Sequence, residues 1–355
     1  MFNYLILLAV DQIKGQRTTA SIYYIFKGRK SAQTIQDAHL YQLTNLYGIY
    51  NQISREDFES VLVQLSEQGY LEKTHQDRAI IREKGLQYLR EHKNNYPYHL
   101  LKGMAYANQT NEFIARLSLT IQTYSYLSMN VNRFQPIIDT TPTQVWVKQY
   151  YQKNQDVKEW LTDVYHQLEG FLLTIDDQQA RMFVDRLTGY QRFGLTIQQL
   201  SVKYNLSKHD VYLLLTLSYH QLLSFIEVNQ MNPLLEMIPN HNLQQKKMII
   251  TKSAAKTYQL ILKGYTIEQI MERRRLKRST IEDHIIELAY AIPTFKLSPF
   301  IKQDIFNELV DKISQIEDRQ LSAIRRQLGD HYSYFQIRLA LAKARLKNSE
   351  ERYDG

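Results

Sequence analysis

Leu, Ile, Val and Tyr recur at three- and four-residue intervals through most of the 355-residue chain, and stretches of strict apolar–polar alternation are short and few. That interval puts apolar side chains on one face of a helix at each turn, so the chain is predicted to be mainly α. The pattern breaks twice. Asn94-Asn95-Tyr96-Pro97 follows a charged helix end at Leu86 to Lys93, and Asn229 to Gln245 contains Met231-Asn232-Pro233 and Ile238-Pro239-Asn240-His241-Asn242. Proline pushes the residue before it out of helical backbone. The breaks therefore divide the chain into a domain at 1–95, a helical middle domain at 97–230 and a C-terminal domain at 245–345.

Within the first domain, Ser54 followed by Asp57 approximates a capping box, and Phe58, Val61, Leu62 and Leu65 share one face of the helix it starts. After Gly69, the segments Tyr70-Leu71-Glu72-Lys73 and Ala79-Ile80-Ile81 flank polar Thr74 to Arg78, which reads as a hairpin. A helix followed by a hairpin is the signature of a winged helix. Gly85-Leu86 opens the last helix of this domain.

Two further segments fit a helix-turn-helix. At 195–215, Ser201 precedes Asn205 by four residues, Leu206 follows, and Val211 comes ten after Ser201. A small residue lets two helices approach, and the turn needs a left-handed residue, which Asn tolerates. Ser207 and Asp210 pair as a cap for the second helix. At 264–285, Gly264 ends one helix and Thr266 starts the next, with Ile267, Ile270 and Met271 inward, and Leu276 and Ile281 at the apolar positions of the turn and the second helix. Ser279 and Glu282 fit a capping box there. Met271 and Arg275 stand where the template has a small residue and a glycine.

Composition narrows the chemistry. Only 12 glycines and 7 prolines occur, and no GxxxxGK[ST], GxGxxG or GxSxG is present, so nucleotide-driven motor or hydrolase chemistry is not expected. Cysteine is absent, removing disulfides and thiolate chemistry, and the ten histidines show no metal spacing such as HExxH. No catalytic residue, cofactor or metal is expected. No apolar run approaches the roughly 20 residues that span a bilayer, and Met1 to Val10 lacks the basic lead of a signal peptide. A cytoplasmic protein without a membrane segment is the expectation, with nucleoid association left open.

Charge is the most informative quantity. Residues 1–240 hold 23 Lys+Arg against 22 Asp+Glu, whereas 241–355 hold 21 against 14, so the last third carries nearly all of the net +8. A basic surface attracts polyanions and releases their counterions, which makes nucleic acid the first partner to consider. Five of the six residues from 273 to 278 are basic, at the turn and the mouth of a recognition helix, where phosphates and base edges are met in the major groove. Arg273, Arg274, Lys277 and Arg278 are expected on phosphates, and Ser279, Thr280 and Asp283 toward the groove. Lys208, His209 and Tyr212 hold the equivalent places in the middle motif, whose second helix continues with little charge. The aromatics of the middle domain, among them Tyr106, Phe113, Tyr124, Tyr126, Trp146, Tyr150, Tyr151 and Trp160, are expected as core rather than as base-stacking platforms.

The order Ile25-Phe26-Lys27-Gly28-Arg29-Lys30, then His39-Leu40 to Leu46-Tyr47-Gly48-Ile49-Tyr50, then Leu65 to Gly69-Tyr70-Leu71, then Arg82-Glu83-Lys84-Gly85 resembles the winged-helix domain that follows the motor in RecQ-type helicases. Arg82 replaces the usual threonine, and His75 stands where an aromatic wedge parts strands in that family, so strand separation by this wing is in doubt. From Lys263 to Arg338 the chain resembles the helix-turn-helix domain appended to some RecQ helicases. The whole length is similar to motor-less bacterial proteins of the YpbB kind. That resemblance implies a non-catalytic DNA-binding accessory protein whose partners are DNA and a RecQ-like helicase in repair or recombination. Two other readings stay open from the residues: a helix-turn-helix transcription regulator, and a scaffold whose motifs only pack helices against protein partners.

Overall fold

A computed structural model describes residues 1–239, 249–292, 294–316 and 321–350. As the apolar spacing predicts, the described residues are mainly helical, with two short strands. From the N-terminus come α1 (Phe2–Ile13), α2 (Thr19–Lys27), α3 (Ala32–Leu40) and α4 (Arg55–Glu67), then β1 (Leu71–Lys73), β2 (Ala79–Ile81) and α5 (Glu83–Glu91). The middle holds α6 (Gly103–Tyr106), α7 (Thr110–Leu127), α8 (Thr141–Lys153), α9 (Val157–Leu172), α10 (Asp177–Asp185), α11 (Ile197–Tyr204), α12 (Lys208–Asn229) and α13 (Leu234–Met237). The last third holds α14 (Lys252–Leu262), α15 (Ile267–Arg274), α16 (Arg278–Ala291), α17 (Gln303–Ser314), α18 (Leu321–Leu328) and α19 (Tyr334–Glu350).

Packing groups these elements into two compact units. The first gathers Met1–Leu7, Gly48–Ile53 and Gln87–Lys247; the second gathers Leu8–Tyr47, Ser54–Leu86 and Met248–Gly355. Most of the winged-helix segment thus shares a unit with the C-terminal helices, while two short N-terminal pieces of it and its end from Gln87 on belong with the middle.

In the first unit the core is aromatic. Tyr124 stacks on Trp160 with ring centroids 3.8 Å apart, Trp160 Nε1 donates to the Tyr150 hydroxyl at 3.1 Å, and that hydroxyl donates to the Pro233 carbonyl at 3.2 Å. Each polar tip has a partner, which is what burying Tyr and Trp requires. Tyr106, Phe113, Tyr124, Tyr150 and Trp160 are buried and Tyr126, Trp146 and Tyr151 half-buried, so these rings pack the core. Helix α12 runs through it with Val211, Leu213, Leu217, Leu222 and Ile226 buried. It is also, among the described residues, the one helix long and apolar enough by composition to cross a membrane. This exceeds the longest apolar run expected from the sequence, because Thr, Ser and His interrupt the run without lowering its mean hydropathy much.

The second unit is built around α16, on which Ile281, Ile285, Ile286, Leu288, Ala289 and Tyr290 are all buried. Helices α3, α14, α15 and α19 pack on it. The ring of His39 stacks on Tyr290 at 4.8 Å, and Arg338 of α19 bridges Asp283 (2.6 Å) and Gln36 (2.8 Å). The winged-helix elements fold as the pattern implies. Ser54 caps α4 by accepting from the Asp57 amide at 2.9 Å, and Phe58, Val61, Leu62 and Leu65 are buried. The hairpin pairs Leu71 with Ile81, Glu72 with Ile80 and Lys73 with Ala79. Thr18 adds an antiparallel bridge to Arg78, so the wing is anchored to the α1–α2 turn. Gly85 sits where α5 passes the start of β1: a Cβ there would lie 2.3 Å from the Tyr70 carbonyl.

Candidate nucleic-acid interface

The C-terminal helix-turn-helix is formed by α15 and α16. Gly264, with φ +81°, closes the preceding helix. Thr266 then caps α15 reciprocally with Gln269: the hydroxyl accepts from the Gln269 amide at 3.3 Å and the Gln269 side chain accepts from the Thr266 amide at 2.9 Å. Ile270 and Ile281 are buried and pin the two helices together. Arg275 makes the turn in left-handed backbone, φ 52° and ψ 46°. Helix α16 begins at Arg278, with Lys277 as its cap residue and no side-chain cap bond. This corrects the Ser279–Glu282 capping box: the helix starts two residues earlier, because Leu276 must follow the left-handed turn inward. Glu282 instead accepts from Arg278 at 3.0 Å.

The nominated basic residues divide by environment. Arg273 is exposed, its guanidinium 5.4 Å from the centroid of the Tyr265 ring, and Lys277 is exposed. Arg278 is exposed and pairs with Glu268 at 2.7 Å and with Glu282 at 3.0 Å. Ion pairs this open to water are worth about 0–1 kcal/mol, so a phosphate can compete for the guanidinium. Ser279 is exposed and Thr280 half-buried. Asp283 takes Arg338 as its partner.

Arg274 corrects the expectation. It turns inward, donating to the Ser253 carbonyl at 2.8 Å, to the Ser253 hydroxyl at 3.0 Å and to the Thr257 hydroxyl. Thr257 in turn meets His284 Nδ1 at 2.8 Å. Burial, with Arg274 beside it, lowers His284 to about 4, so the imidazole is neutral at pH 7. Arg274 therefore ties α14 and α15 to α16. Arg275, which carries no role in the template reading, is exposed at the turn and takes its place among the outward cations.

The middle motif has the same geometry with a different use. Thr196 and Gln199 form the reciprocal cap, Asn205 takes φ 52° and ψ 46°, and Ser207 caps α12 by accepting from the Asp210 amide at 3.0 Å. The face of α12 that a groove would meet is covered by the two short N-terminal pieces of the same unit. His209 lies 4.8 Å from the Phe2 ring, and its Nδ1 is 2.9 Å from the Tyr50 hydroxyl. Tyr212 stacks on Tyr50 at 4.3 Å and donates to Asn51 at 3.0 Å. Burial pushes the Tyr212 hydroxyl up to about 12. His209 and Tyr212 are thus packing residues, and of that trio only Lys208 is exposed. No local signal announces this, since their partners lie some 160 to 200 positions away in sequence.

The helix before the wing also departs from a DNA-reading surface. Glu56, Asp57 and Glu67 are exposed on α4, and like charges repel the phosphate backbone. At the wing tip His75, Gln76 and Asp77 are exposed. Among the described residues no group of histidines and carboxylates could hold a metal ion.

With this geometry in view, residues 4–100 match the RQC domain family and residues 253–341 match a helix-turn-helix domain family. Both are DNA-binding domain types. Protein YpbB of Bacillus subtilis (strain 168) is 29% identical over 344 residues, covering 96% of this chain and 97% of that protein. No solved structure matches the chain.

Proposed function

We propose that this YpbB-like chain, with its RQC and C-terminal helix-turn-helix domains, is a non-catalytic accessory protein that holds DNA for a RecQ-like helicase in repair or recombination. The observation that carries the reading is the outward basic turn at the mouth of α16, where Arg273, Arg275, Lys277 and Arg278 are all exposed. Side chains at the start of such a helix reach phosphates and base edges when it enters the major groove. Ser279 and Thr280 follow on its first turn. Arg274 is left out because its guanidinium is turned inward onto Ser253 and Thr257. The absence of a phosphate loop or nucleophile motif leaves strand separation to the helicase.

The test is fluorescence anisotropy with forked and plain duplex DNA at low salt, with and without Arg273→Gln, Lys277→Gln and Arg278→Gln together. Neutralising three phosphate contacts weakens binding at least tenfold on every sequence and lowers the log–log salt slope by about 2 to 3. Equal binding by the variant sinks the assignment of this turn. A preference of about a thousandfold for one operator over random duplex replaces the accessory role with a sequence-specific regulator. Co-purification with a RecQ-like helicase tests the partner separately.

A further inference from the structure

A cleft of about 370 Å³ opens within the second unit, bounded by the α1–α2 turn, the wing, α3, α16 and α19. Its charged lining is Arg17, Arg78 and Arg338 with Asp37 and Asp283. Arg17 grips Asp37 through Nε at 3.1 Å and Nη2 at 2.9 Å, and that carboxylate is only 3% exposed. Gln33 donates to Asp37 at 2.8 Å as well. Arg338 is held between Asp283 and Gln36, and Arg78 Nη1 donates to the Gly15 carbonyl at 3.2 Å.

Three guanidiniums therefore meet two carboxylates, leaving one positive charge in excess. Each guanidinium has five N–H donors, and the bonds named use only part of each set. The arginines come from three separate segments and are pre-positioned by their partners, which cuts the ordering cost of binding. The network surrounds a space within the roughly 300–1,000 Å³ range of small-molecule sites. Planar guanidinium forks match phosphate oxygens better than any other side chain.

We propose that this cleft is a phosphate-binding site, in which Arg17, Arg78 and Arg338 converge on one phosphate group of a nucleic-acid strand or a nucleotide. It shares no residue with the basic turn of α16, so either site can fail without the other.

The experiment follows the melting temperature of the full chain in inorganic phosphate against sodium chloride of equal ionic strength. A saturable rise in phosphate alone is expected, with apparent affinity at least fivefold weaker in Arg78→Gln and in Arg338→Gln, and unchanged in Arg273→Gln. Arg78 is partly open to solvent, and Asp283, the carboxylate that Arg338→Gln leaves unpaired, is half-exposed and can be hydrated; circular dichroism checks that both variants keep the fold. Arg78→Lys, retaining charge without the fork, recovers part of the loss. No saturable rise, or a rise equal in all variants, overturns the proposal. Deoxyadenosine monophosphate and single-stranded hexamers with and without a 5′-phosphate distinguish the source. Tighter Arg78-dependent binding of the phosphorylated hexamer assigns a strand end, equal binding assigns internal phosphodiesters, and binding of the mononucleotide alone assigns a free nucleotide.

Discussion

Asn205 and Arg275 adopt the same left-handed backbone, φ 52° and ψ 46°, each closing an eight-residue helix that a Thr–Gln capping box begins. Each is followed by a leucine and then by the cap residue of a long helix, Ser207 in one and Lys277 in the other. The two turns are one local solution used twice. What separates them is the charge on the turn and what covers the helix after it.

Left-handed backbone costs an ordinary L-residue about 1–2 kcal/mol, and glycine escapes that cost. Arg275→Gly should therefore hold or slightly raise the melting temperature, while Arg275→Val, β-branched at positive φ, should lower stability by about 1–2 kcal/mol. Thermal melts of both variants check the sign. If the valine variant is the more stable, the turn is not left-handed.

On the middle motif, the covered face sets the expectation. Lys208→Gln should change DNA affinity less than twofold. Tyr50→Ala, removing a buried ring packed on Phe2, His209 and Tyr212, should cost about 3–5 kcal/mol of stability. Chemical denaturation and anisotropy on the same samples separate the two effects. A loss of DNA affinity in Lys208→Gln equal to that of Arg273→Gln would return α12 to the DNA-binding surface.

His220 and His284, the buried histidines among the described residues, resist protonation. His220, whose Nδ1 accepts from the Lys102 amide at 3.1 Å, is lowered by burial to about 3, and His284 to about 4. Between these values and the ordinary 6.5 the unfolded chain binds protons that the folded chain refuses. Stability is then complete above pH 6.5 and falls as pH drops, by about 1.4 kcal/mol per unit for each histidine until its folded value is reached. Melting temperatures from pH 7.5 to 4.5 should decline, and less steeply in His284→Gln. A flat profile contradicts the buried neutral state.

Gly85→Ala should be among the most damaging small substitutions. Its Cβ would lie 2.3 Å from the Tyr70 carbonyl and 2.7 Å from Ile81 Cγ1, both in the wing's framework. Backbone must move, at a cost of about 2 kcal/mol or more by analogy with overpacking. Limited proteolysis at the hairpin, faster in the variant, reports the displaced wing; unchanged proteolysis and melting would show that the approach is looser.

The sequence by itself determined what depends on near neighbours. Helical period, the caps at Ser54, Thr266 and Ser207, the left-handed Asn205, the hairpin around Thr74 to Arg78 and the basic run at 273–278 are all local, and each is written within about ten residues. Only the tertiary structure decided which of those local features face outward. It covered His209 and Tyr212 with Phe2, Tyr50 and Asn51, and turned Arg274 inward onto Ser253 and Thr257. It also brought Arg17, Arg78 and Arg338 to one cleft. The physical reason is that burial is a property of partners distant in the chain. A charged or aromatic side chain at a motif's exposed position is free only if no other segment packs over it, and spacing carries no record of that.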